Sequence, residues 1–218
     1  MVGGASFVFF SAVNAATNTK WISTNCGTED NPVVINNPEC WDSGNAPSID
    51  YNLHFTASER TYITNTATKK IATALRFLGG DFVVFGAMKF NSFGYNSEET
   101  AHVSIDKRGD WTCERDFHVA TKEGATFAFT NRTGMLNVCS SQYARLAAGK
   151  NSKAFLVIEE DASFKSENNF SIGYASGSKG TFIQNGGESR AVKTIRFTPV
   201  PQLSKNAVIK RASAIIGF

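Results

Sequence analysis

The stretch Phe117-His118-Val119-Ala120-Thr121-Lys122-Glu123-Gly124-Ala125-Thr126-Phe127 has a near copy downstream, Phe170-Ser171-Ile172-Gly173-Tyr174-Ala175-Ser176-Gly177-Ser178-Lys179-Gly180-Thr181-Phe182. Between them Ala144-Arg145-Leu146-Ala147-Ala148-Gly149-Lys150-Asn151-Ser152-Lys153-Ala154-Phe155-Leu156 carries the same pattern in stretched form. Each copy reads as a short strand, a Gly/Ser/Lys turn and another strand. Worked outward, the unit is about 26 residues long and recurs four to five times between Ala74 and Phe197. A regular period of this length predicts a stacked architecture, in which no unit buries its apolar face without its neighbours.

Three apolar pairs recur in the units, each with the one-residue gap of a half-buried strand. The first runs Leu75/Phe77, Val103/Ile105, Phe127/Phe129, Leu156/Ile158 and Phe182. The second runs Phe82/Val84, Trp111/Cys113, Leu136/Val138 and Phe164. The third runs Met88/Phe90, Phe117/Val119, Ala144/Leu146, Phe170/Ile172 and Ile195/Phe197. Turns at Gly79-Gly80, Arg108-Gly109, Thr133-Gly134 and Gly186-Gly187 complete a coil with three faces. An antiparallel meander would also alternate, but it does not demand three pairs locked in phase. The expected fold is therefore all-β, a right-handed parallel β-helix (β-solenoid) of about five coils with an N-terminal cap. The 18 phenylalanines are read as core filling on its inward ladders.

This period and pattern resemble the autotransporter-passenger-like β-helix repeats of bacterial secreted proteins, a pectin-lyase-like solenoid. The match is best at Phe170 to Gly187, with its Gly180-Thr181-Phe182 strand and Gly186-Gly187 turn, and it covers roughly 74–198. The resemblance implies architecture. Such rods carry adhesins, enzymes and plain spacers alike.

Residues 1–16 read as an export signal: Ala5 to Val13 is apolar, too short to span a bilayer, and is followed by small residues suited to cleavage, although no Lys or Arg precedes it. Residues 17–70, with Trp21, Cys26, Cys40, Trp41 and the strand-like Tyr51-Asn52-Leu53-His54-Phe55, lack the period and are expected to cap the first coil, whose apolar cross-section and open edge need cover. Coils are expected over 71–198. Pro199-Val200-Pro201 stops the strand pattern, and 199–218 is read as a C-terminal cap or a truncated end. These features predict a secreted or bacterial cell-surface protein whose mature chain has no transmembrane helix, as a monomer or part of a longer rod.

A net charge of +3 with scattered Lys and Arg argues against nucleic acid as a partner. Four cysteines in an exported chain suggest oxidation. Cys26 and Cys40 are expected to pair and staple the cap, and Cys113 with Cys139, about one repeat apart, is a second candidate pair. No metal or cofactor is expected: the three histidines have no ligand spacing to a cysteine pair, and no phosphate or dinucleotide loop is present.

For chemistry, the best cluster is Asp106, Lys107, Arg108, Asp110, Glu114, Arg115 and Asp116 around one turn. Polysaccharide-cutting chemistry needs an acid and a base flanking the scissile bond, which makes Asp106, Asp110 and Asp116 the weak catalytic candidates. A solvated charged turn explains them equally well. The expected function is that of a non-catalytic structural or adhesive surface rod that meets a glycan, a matrix or another cell. A polysaccharide-active lyase or hydrolase, and a spacer fragment of a larger repeat protein, are the alternatives.

Overall fold

The computed structural model describes residues 16–94, 100–107, 109–139, 143–191, 195–197 and 208–211. The expected export segment therefore lies outside the described residues apart from Ala16, as do Arg108 and most of 199–218.

The chain is a parallel β-solenoid of about six turns of about 26 residues, with almost no helix. A three-residue 3-10 turn at Pro38–Cys40 is the one helical element among the described residues. The first face stacks Thr61–Thr64, the end of Ala72–Phe85, Ala101–Asp106, the starts of Thr126–Val138 and Lys153–Ser166, then Lys179–Gln184 and Val208–Arg211. The second stacks Met88–Phe93, Trp111–Cys113 and the ends of the two long strands, followed by Glu188–Ala191. The third stacks Phe117–Val119, Tyr143–Leu146, Asn169–Ile172 and Ile195–Phe197.

Register corrects the expected rungs at the N-terminal end. Phe82 lies over Thr61 and under Val103, so the early coils advance about 21 residues. Val103 then pairs with Phe129, Phe129 with Leu156 and Leu156 with Phe182, advancing about 26 or 27. Phe82/Val84 therefore belongs to the first face, with Val103/Ile105, and Met88/Phe90 to the second, with Trp111/Cys113. Phe127/Phe129 sits two positions from its expected rung, because Asn131 takes the place over Ile105. That inward amide is fully buried; it donates to the Gly134 and Ser163 carbonyls at 3.2 and 3.0 Å and so closes the corner. Gln184, two coils on, donates likewise to the Gly187 carbonyl at 3.0 Å.

Residues 17–70 are themselves wound into the ladder. Thr17–Lys20 pairs in parallel with Tyr51–Thr56, which pairs with the Ala72–Phe85 strand. Winding therefore begins ahead of residue 71. Trp21 and Trp41, bridged to each other, close the first coil over Phe55, with ring centroids 5.8 and 5.2 Å from it. From there an aromatic stack runs along the core: Phe55 on Phe77 at 4.5 Å, Phe77 to Phe93 at 5.9 Å, Phe93 on Phe117 at 5.0 Å. Such pairs add roughly 0.5–1.5 kcal/mol each beyond the area they bury. Strand spacing of about 4.8 Å sets these distances, since it brings equivalent rings into contact without a change of backbone.

Candidate functional site

The charged cluster read from the sequence is divided by the coil. Asp106 and Asp110 lie at the corner after the first face, whereas Glu114 and Asp116 lie at the corner after Trp111–Cys113, a strand of roughly 10 Å. At the first corner, Asp106 Oδ1 accepts the Lys107 N–H at 2.8 Å and its Oδ2 meets Arg132 at 3.3 Å. Asp110 Oδ1 accepts the Met135 N–H of the next coil at 2.8 Å. At the second corner, Glu114 bridges Lys70 and Lys89, and the hydrogen bond from Lys70 is the main cause holding its carboxyl below the usual range. The Asp116 carbonyl accepts the Phe93 N–H at 2.8 Å. Asp106 and Asp110 thus share one corner, and Asp116 lies beyond the next short strand. The side-chain contacts of Asp106 and Asp110 hold the corner to the neighbouring coil.

The cysteines do not pair in the structure; all four are free thiols. Cys40 is buried in the cap and Cys26 is half-buried. Cys113 is buried in register with Val138, so Cys139 comes one position later, past the end of the strand, where its N–H donates to the Cys113 carbonyl at 2.8 Å. Burial pushes the Cys113 thiol far up and the Cys139 thiol up to a lesser degree.

A different set of residues converges on the outer surface of the first face. Parallel register places Asp81 beside His102, His102 beside Ala128, Ala128 beside Phe155 and Phe155 beside Thr181 in one outward row. Arg60, one position before the Thr61–Phe82 pair, extends the row, and its Nε donates to Asp81 Oδ2 at 2.7 Å. His102 Nδ1 lies 3.1 Å from Asp81 Oδ1. Its Nε2 lies 3.2 Å from Thr130 Oγ1 and 3.4 Å from Ser104 Oγ. Both imidazole nitrogens therefore have partners, which fix the ring between neighbouring strands.

A groove of about 430 Å³ opens over this row, lined among others by Glu59, Arg60, Asp81, His102, Ala128 and Phe155. Among the phenylalanines whose burial is described, Phe155 is the one left exposed, at 37%. Sequence reading missed the groove because nothing local joins Asp81 to His102 or His102 to Phe155. The signal that would have found it is the shorter early coil, which makes a separation of 21 residues a direct neighbour.

Ser104 and Thr130, whose hydroxyls meet His102 Nε2, do not line the groove. What the groove offers is the Asp81 carboxylate and Arg60 guanidinium at one end and the exposed Phe155 ring at the other. No family model matches the chain, and no curated protein or solved structure matches it.

Proposed function

We propose that the chain is an exported, non-catalytic structural or adhesive rod, of the autotransporter-passenger-like kind that its repeats resemble. The observation that carries this reading is the unbroken parallel ladder, which spends its apolar residues inside and leaves a rigid, mostly polar outer surface. The engagement of Asp106, Asp110 and Glu114 in contacts between coils supports it further, because those carboxylates have structural work. Its partner would be a glycan, an extracellular matrix or another cell surface. The test is retention of the purified chain on a panel of polysaccharides, with newly formed chain ends measured in parallel. Retention without new ends is the expected result. Neither retention nor new ends would leave the rod as a spacer.

A second reading, a polysaccharide-active enzyme, draws on one observation: Glu59 and Asp81 line the same groove beside His102. New chain ends that vanish on Glu59→Gln or Asp81→Asn would establish it. Ends that vanish instead in an Asp106→Asn, Asp110→Asn double variant would place the chemistry at the first corner.

A further inference from the structure

We infer that the first-face groove binds one uncharged sugar ring, seated over Ala128 between the imidazole of His102 and the phenyl ring of Phe155. This inference rests on the adhesive reading and names the ligand of one place on the rod. Its basis is the outward row Arg60–Asp81–His102–Ala128–Phe155. Neighbouring strands are about 4.8 Å apart, so the backbones carrying His102 and Phe155 stand roughly 9.6 Å apart, with a single methyl group on the strand between them. A large side chain at Ala128 would fill the notch between His102 and Phe155; alanine keeps it open.

The two walls match the two sides of a pyranose. Phe155 presents an exposed ring, whereas the other phenylalanines whose burial is described are buried, and the C–H face of a sugar packs on such a ring. On the opposite wall, Asp81, Arg60 and His102 are fixed by mutual contacts of 2.7 and 3.1 Å. With both ring nitrogens of His102 engaged, the imidazole serves as a wall. The second lone pairs of the Asp81 carboxylate and the further N–H groups of Arg60, held in place in this way, bind hydroxyls without losing rotamer freedom on association.

The charges in the lining select an uncharged ring. Glu59 and Asp81 contribute carboxylates, and Arg60 is already engaged with Asp81. A uronate in the notch would meet net negative charge. Lys153 and Lys179, paired across strands and both exposed, stand in the adjacent outward row and do not line the groove.

The test is calorimetric titration of the full chain with cellotriose, laminaritriose, xylotriose and trigalacturonate. At least one neutral trisaccharide is expected to bind. Phe155→Ala should weaken it about tenfold or more, and Ala128→Leu should do the same by filling the notch. Tyr174→Ala, which removes an exposed ring elsewhere, should bind like wild type. Tighter binding of trigalacturonate than of any neutral sugar overturns the inference, as does binding unchanged by both Phe155→Ala and Ala128→Leu. Absence of binding by all four sugars also overturns it. If the wild type were then still retained on a polysaccharide or cell-surface array, the adhesive reading would stand with its contact elsewhere. If it were not retained, both would fall.

Discussion

Asp110 and Met135 lie on successive coils, and Asp110 Oδ1 accepts the Met135 backbone N–H at 2.8 Å. A carboxylate that sequence alone offers as an acid or base is thereby a clasp at the first corner. Asp110→Ala should lower stability by about 1–2 kcal/mol, because the N–H loses its partner. Asp110→Asn keeps an acceptor at Oδ1 and should cost less. Urea denaturation of the two variants checks this, and an Asn variant as unstable as the Ala variant would show that the bond is not what Asp110 contributes.

Phe127 is fully buried, between Ala101 on one coil and Ala154 on the next, with its ring 5.8 Å from that of Phe93. Phe127→Asp would place a charge on this inward ladder with no partner, and should abolish cooperative folding, a loss beyond about 4 kcal/mol. Glu160→Ala, at an exposed corner, should change stability by less than about 0.5 kcal/mol. Thermal melts followed by circular dichroism separate the two.

Two glycines with similar backbones should respond differently to alanine. Gly94 has φ +70° and a Cβ there would stand 1.8 Å from the His118 carbonyl oxygen, so the neighbouring coil would have to move. Gly124 has φ +74° and nothing within 4 Å of its added Cβ. Gly124→Ala should cost about 1–2 kcal/mol, from the left-handed backbone alone. Gly94→Ala should cost roughly 3 kcal/mol or more, since strain and the clash add. Equal midpoints for the two variants would mean that the coils slide apart freely at Gly94.

The sequence was most legible where the coils are regular. Phe117/Val119, Ala144/Leu146, Phe170/Ile172 and Ile195/Phe197 stack as their alternation suggests. It misled where coil length changes: a fixed period of about 26 residues slides Phe82/Val84 onto the wrong face, because the early coils advance about 21. It misled again at Asn131, since an inward amide breaks the apolar alternation and its hydrogen bonds to two corner carbonyls have no sequence signature. The groove was hidden for the same reason as the misplaced rungs. Asp81, His102, Ala128 and Phe155 become neighbours only through register, and three of the four are unremarkable on their own.

Native-state thiol labelling should separate the cysteines by depth. Cys113 is fully buried and Cys40 nearly so, whereas Cys26 and Cys139 are half-buried. Alkylation of the folded protein should therefore modify Cys26 and Cys139 first, and denaturation without reductant should release all four thiols. Two thiols on denaturation, with mass spectrometry joining Cys26 to Cys40, would show that the cap rearranges to form the bond its spacing suggests.

The last prediction concerns acid. His118 stands next to Arg145 in register and is 8% exposed; burial, reinforced by Arg145 and opposed by Asp116, pulls its pKa down to about 4. An unfolded histidine titrates near 6.5. Above about pH 6.5 the imidazole is neutral in both states and its contribution to stability is fully present. As pH falls, the unfolded chain takes up a proton that the folded chain refuses, so stability drops, and the drop levels off once the folded imidazole protonates near pH 4. The loss over that window is on the order of 3 kcal/mol. Glu114, whose carboxyl is held low by Lys70, adds its own loss only below its ordinary value of 4.5. Comparing wild type with His118→Gln between pH 7 and 5 therefore isolates the histidine: the wild type should lose stability more steeply, whatever offset the substitution brings at pH 7. Parallel slopes would mean that His118 reaches solvent and accepts its proton without unfolding the coil.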